Sequence, residues 1–244
     1  MKPFLFLAAR FEDAAADLEY EAFCHYSGLA PSELVRVRLE QGLLLGVTLS
    51  DYAGLIIGGS PFNVSDDAAT KTAVQQRVEA DLQALLDQAI AQDFPVLGVC
   101  YALGVLGSHL GSTPDHTYGE SAGTVEVELT EAGQADPLLA GLPQHFTALT
   151  GHKEALPTLP DGATLLATAA AAPVQMIRVG QNVYAVQFHP ELDQPGLKER
   201  LAIYLDQGYC APQEYQQVLA KTERANLANA QQILKNFVQL FHQT

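Results

Sequence analysis

The chain has 244 residues, 48% of them hydrophobic, which allows a sizeable core and argues against disorder. It carries 28 Asp+Glu against 13 Lys+Arg, a net charge of −15 that repels phosphate backbones and anionic membranes. Neither nucleic acid nor a lipid surface is therefore an expected partner. Cys24, Cys100 and Cys210 are far apart and odd in number, so they form no disulfide framework and no CxxC pair, and fit a reducing, cytoplasmic setting.

In chain order, the opening apolar stretch runs only from Pro3 to Ala9, with Glu12 and Asp13 close behind. That is too short for a secretory signal, and no run is long enough to cross a bilayer. A first strand over 4–8 is expected, then a helix over 14–26 and a weak strand over 35–39. Residues 54–57 read as a buried strand that stops at Gly58-Gly59-Ser60-Pro61. Residues 71–92 place Val74, Val78, Leu82, Leu85, Leu86 and Ala89 at helical spacing with one buried face. The all-apolar run 95–99 suits a strand covered on both sides, and 101–110 a short helix ended by Gly111. Alternation of this kind predicts an α/β fold: an open, mixed, mostly parallel sheet with helices on both faces.

After Gly111 the texture changes. Residues 124–129 alternate Val and Glu, as in a half-exposed strand, and further strands are expected over 164–168, 174–179 and 183–188. From Leu197 onward the pattern is helical. No linker, repeat or low-complexity block appears, so the expected division is one domain, 1–244, with 206–244 as a C-terminal helical extension.

Three places invite chemistry, each at the end of a predicted strand, the edge where open α/β sheets place their sites. Cys100 lies between a strand and a helix among small residues, a setting for a nucleophile on a sharp turn, with the helix N-terminus favouring a thiolate. His189-Pro190-Glu191 offers a base for the thiol proton and a carboxylate to fix the imidazole. Gly58-Gly59-Ser60-Pro61 offers backbone N–H groups that can turn outward toward an oxyanion. Each also has a plain reading: an inert core cysteine, a surface His–Glu pair, an ordinary turn. His109, His116 and His145 lack metal-ligand spacing, and His25 and His242 read as solvated, so no metal is expected. No phosphate-binding glycine loop is present, so no nucleotide cofactor is expected either.

The stretches GLIIGGSPFNVSDD, PVLGVCYALGVLGSHLG, GHKEALPTLPDGATLLA and VYAVQFHPE resemble, in order and spacing, the class I glutamine amidotransferases. They are most like the stand-alone proteins related to the amidotransferase domain of GMP synthetase. The resemblance covers about residues 4–205 and implies that family's α/β fold with a flavodoxin-like core. It implies Cys100 as nucleophile, His189 as general base and Glu191 as its orienting partner, with Gly59 and Tyr101 supplying the oxyanion hole. Gly58, Ser60, Gly104 and His152 fall on the substrate side. The implied reaction cleaves the side-chain amide of glutamine through a γ-glutamyl thioester and releases ammonia, whose consumer would be a separate synthetase.

Two positions depart from the family's usual Gly-x-Cys-x-Gly-x-Gln turn. Ala102 stands for the second glycine and adds a methyl where strand and helix meet, an overpacking of about 1–3 kcal/mol unless a facing residue is small. Gly104 stands for the glutamine, whose side chain helps hold the substrate, and so leaves a vacated volume. That space favours an alternative, a γ-glutamyl peptidase or hydrolase acting on a larger γ-glutamyl compound. A non-catalytic binding protein on the same fold, and a cysteine-elbow hydrolase of another α/β family, are the remaining alternatives.

Overall fold

The computed structural model describes residues 2–44, 46–205 and 213–242. Nine strands form one sheet: β1 (Phe4–Ala8), β2 (Leu34–Arg38), β3 (Leu55–Ile57), β4 (Val96–Val99), β5 (Glu120–Leu129), β6 (His145–His152), β7 (Ala163–Thr168), β8 (Met176–Val179) and β9 (Val183–Val186). Their order is β2-β1-β3-β4-β9-β8-β7-β5-β6. The first five in that order pair in parallel, and the remaining neighbours pair antiparallel. The sheet is mixed as expected, but its parallel share is half of the pairings rather than most of them.

The helices are α1 (Asp13–Ser27), α2 (Ala73–Ala91), α3 (Tyr101–His109), the short α4 (Glu131–Gln134), α5 (Gln194–Ile203), α6 (Tyr215–Thr222) and α7 (Ala228–Phe241). Thr72 caps α2, its hydroxyl accepting from Gln75 N–H, which sets the helix start at Ala73, two residues inside the expected 71. The period-2 alternation of the strands divides the core into two layers. Phe4, Phe6, Ile56, Leu97 and Val99 face Phe23 of α1 and Phe237 of α7. Leu5, Leu7, Leu55, Ile57 and Val96 face Val78, Leu82 and Leu86 of α2 together with Val105 and Leu106 of α3. A third cluster joins Ala122 of β5 and Leu149 of β6 to Leu197 and Leu201 of α5.

Strand β6 is absent from the expectations above. It contains His145, two threonines, Gly151 and His152 and no run of β-branched aliphatics, and it becomes a strand through its long antiparallel register with β5. Of the expected C-terminal extension, 206–212 and with it Cys210 lie outside the described residues. No helix among the described residues is long and apolar enough to cross a membrane.

Candidate active site

The site forms where β1, β3, β4 and β9 end side by side. Cys100 follows β4 and caps α3, with φ 52° and ψ −98°, a left-handed backbone conformation that L residues rarely adopt. Such a conformation costs about 1–3 kcal/mol and persists where its surroundings fix it. Here Cys100 N–H donates to Val186 O of β9 at 2.7 Å, tying the turn to the neighbouring strand. The turn sets Cys100 at the N-terminus of α3, where a negative charge is favoured.

The turn also settles the position of Ala102. A Cβ built on Gly98 would lie 2.8 Å from the Ala102 methyl and 3.5 Å from that of Ala185. The small facing residue that this methyl requires is therefore Gly98, with Ala185 beside it.

His189 lies three residues past β9, and its N–H donates to Leu149 O at 2.8 Å. Its Nδ1 is 2.8 Å from Glu191 Oε1, in a pair that is almost wholly buried. The carboxylate accepts, so Nδ1 carries the proton and Nε2 keeps its lone pair. Cys100 and His189 line one cavity of about 30 Å³ together with Arg10, Ser60, Arg200, Tyr204 and a wall of leucines. A second cavity, about 20 Å³, lies on the other side of Cys100, between Phe62, Tyr101, Gly104, Lys153, Glu154 and Gln187. Gln187 approaches from β9, its Nε2 3.9 Å from the Cys100 sulfur.

Burial pushes the Cys100 thiol up to about 12, against the opposing charges of Arg10 and Arg200. Burial also lowers His189, helped by Arg200 and Arg10 and opposed by Glu191. Burial alone would raise Glu191, but the charges of His189 and Arg200 outweigh it and hold the carboxyl at about 2. Burial thus disfavours the charged forms of both Cys100 and His189, while the neighbouring charges keep Glu191 ionised against the imidazole.

The other expected site residues divide. Gly59 packs against the base: a Cβ there would meet Arg10 Nη2 at 2.9 Å and His189 Cε1 at 3.1 Å. Tyr101 opens α3, and its ring meets Phe62 edge-on at 6.1 Å in the wall of the second cavity. Ser60 borders both cavities, but its hydroxyl donates to Ala9 O and accepts from Phe62 N–H, so it holds the turn. Gly58 turns away from both: its N–H donates to Leu7 O, and a Cβ would lie 2.7 Å from Glu19 Oε2. His152 borders the second cavity, yet its ring lies 2.9 Å from Glu120 Oε2 on one side and from Glu154 O on the other. Its ring pins the chain instead of facing the cavity.

At Gly104 the expected vacated volume borders the second cavity and is narrow close to the backbone. A Cβ there would meet Glu154 Oε1 at 3.3 Å and Pro114 and Val64 at 3.4 Å. Glu154 is held by Val64 N–H and Ser65 N–H, one on each oxygen, both at 2.7 Å. Glu154 was within the GHKE stretch but carried no signal of its own. Arg10, Glu19 and Arg200 were likewise missed, since they come from three separate elements with no motif between them.

Residues 24–201 match the family described as glutamine amidotransferase class-I, and the chain belongs to that family. Over 154 residues it is 29% identical to the glutamine amidotransferase-like protein YfeJ of Salmonella typhimurium, covering 63% of each chain. Over 146 residues it is 31% identical to the glutamine-hydrolyzing GMP synthase of Leifsonia xyli, covering 57% of this chain but only 26% of that one. The matched stretch thus spans about a quarter of the synthase. The fold is similar to that of a glutamine amidotransferase of Thermotoga maritima, with a TM-score of 0.78 at 17% identity over 100% of this chain and 99% of the other.

Proposed function

We propose that this chain is a cysteine-dependent hydrolase of γ-glutamyl amides, with glutamine as the amide and ammonia as the leaving group. One observation carries the reading. Cys100 on its strained turn and His189 with Nε2 free of Glu191 border the same small cavity.

In the proposed reaction His189 Nε2 takes the thiol proton as the sulfur attacks the γ-carbonyl carbon. The backbone N–H groups of Gly59 and Tyr101 receive the oxyanion. The carbon–nitrogen bond then breaks, His189 returns the proton to the departing amine, and a γ-glutamyl thioester remains on Cys100. Water, deprotonated by His189, attacks the thioester carbonyl; the carbon–sulfur bond breaks, His189 returns the proton to the Cys100 sulfur, and glutamate is released.

The leaving amine must lie against His189, so it occupies the cavity that His189 borders, and the glutamyl arm extends into the other. Glu154, which lines the second cavity, supplies a carboxylate to attract an α-ammonium group. Gly104 borders the second cavity, and that opening keeps a larger γ-glutamyl compound as the second reading. A separate synthetase would consume the ammonia.

The test is glutamate release from glutamine by the intact chain, with Cys100→Ala as control. A parent that releases none from glutamine or any γ-glutamyl amide, at saturating substrate, would sink the reading.

A further inference from the structure

Behind His189 lies a buried chain of charges. Arg10, just past β1, donates from Nε and Nη2 to Glu19 Oε1 of α1, at 2.9 and 2.8 Å. Arg200 of α5 lies with Nη2 3.6 Å from the same oxygen and donates from Nη1 to Glu191 Oε1 at 3.0 Å. That Arg200 nitrogen is also 3.2 Å from His189 Nδ1. Both nitrogens carry protons, so they do not bond to each other, and both converge on the one carboxylate oxygen. Arg10 and Glu19 are 3% and 0% exposed, and breaking such a network leaves an uncompensated buried charge.

We propose that Arg200 is a positioning residue of this site: anchored through Glu19 to Arg10, it fixes the Glu191 carboxylate on His189 and keeps the imidazole neutral and ready to accept a proton. A carboxylate alone beside a buried imidazole favours the imidazolium, which is useless as a base. A guanidinium on the same carboxylate takes up part of its negative charge and repels a second cation 3.2 Å away. The groups that face His189 are Glu191 on its own loop, Arg200 from α5, Arg10 from the end of β1 and Cys100 from the turn after β4. Glu19 of α1 and Tyr204 stand behind Arg10. Among these, Arg200 alone touches both members of the His189–Glu191 pair.

The inference rests on the hydrolase reading for its kinetic consequence, but its direct test does not. In the full chain labelled with ¹⁵N-histidine, the His189 ring signal is identified by its loss in His189→Asn and then followed through a pH titration. Arg200→Gln, which removes the charge, should let the ring protonate at higher pH than the parent. Arg200→Lys, which keeps it, should leave the titration in place. In the glutamine assay Arg200→Gln should lose about tenfold or more in kcat with KM within about twofold, and its acid limb should move up in pH. Arg200→Lys should keep the parent's acid limb.

A folded Arg200→Gln whose His189 titration matches the parent overturns the proposal. If that variant does not fold, the lysine variant decides alone: an upward titration despite the retained charge also overturns it. A parent without activity toward any γ-glutamyl amide would end the hydrolase reading and leave the ring titration to judge Arg200.

Discussion

The two sides of Cys100 are built on different principles. On the His189 side the charges close on one another, Arg10 with Glu19 and Arg200 with Glu191, and leucines of α5 complete the wall. On the Glu154 side a carboxylate held by two backbone amides stands with Asn63, Lys153 and Gln187 among the rings of Phe62 and Tyr101. The first side is self-neutralising and rigid, suited to moving protons between fixed atoms. The second holds one carboxylate between a loop and a strand end, suited to recognising a charged group. Damage to the first should appear in kcat and in pH dependence, and damage to the second in KM.

Cys100→Ala should have the largest effect, a loss on the order of 10⁴-fold or more in glutamate release with the near-UV spectrum preserved. Retained turnover would break the comparison at its centre. His189→Asn should approach that loss, and Glu191→Gln should lose on the order of 10²-fold, since an amide still holds the ring but does not stabilise the imidazolium. Because His189 is lowered from 6.5, the neutral base persists to lower pH, so the acid limb of kcat/KM should lie below that value. A limb at or above it would place the base in a different environment.

Glu154→Gln should raise KM for glutamine about 10- to 100-fold with a small change in kcat, the worth of a hydrogen bond to a charged group. A loss confined to kcat would show that the two sides do not divide the work. Gly104→Gln should have the smallest effect on catalysis. Its Cβ would lie 3.3 Å from Glu154 Oε1 and 3.4 Å from Pro114 and Val64, so the substitution should lower stability by about 1–3 kcal/mol in denaturant melts and bring no gain in KM. A glutamine KM improved tenfold would mean that the neighbours yield and that Gly104 governs recognition after all.

The same division governs what could be read from the sequence. Cys100 and His189-Pro190-Glu191 stand at the ends of apolar strands, and a strand end fixes where a short motif points. The parallel half of the sheet was legible for the same reason, as runs such as 95–99 and 183–188 have buried faces on both sides. Strand β6 was not, because His145, Thr147 and Thr150 give it no apolar run and only its partner β5 makes it a strand. Glu154, whose Oε1 would lie 3.3 Å from a Cβ on Gly104, sits two residues past that unread strand. Arg200 acquires meaning only beside Glu19 and Glu191, a meeting that folding makes and no local pattern announces.

The contact between Gly98 and Ala102 constrains how this turn changes over generations. The two positions together hold one methyl group, because a Cβ on Gly98 would stand 2.8 Å from the one already on Ala102. Ala102→Gly is open at once, since it only removes atoms. Gly98→Ala is closed while Ala102 stands and opens once that methyl has gone. The order of substitution is therefore directional, with residue 102 permissive for residue 98.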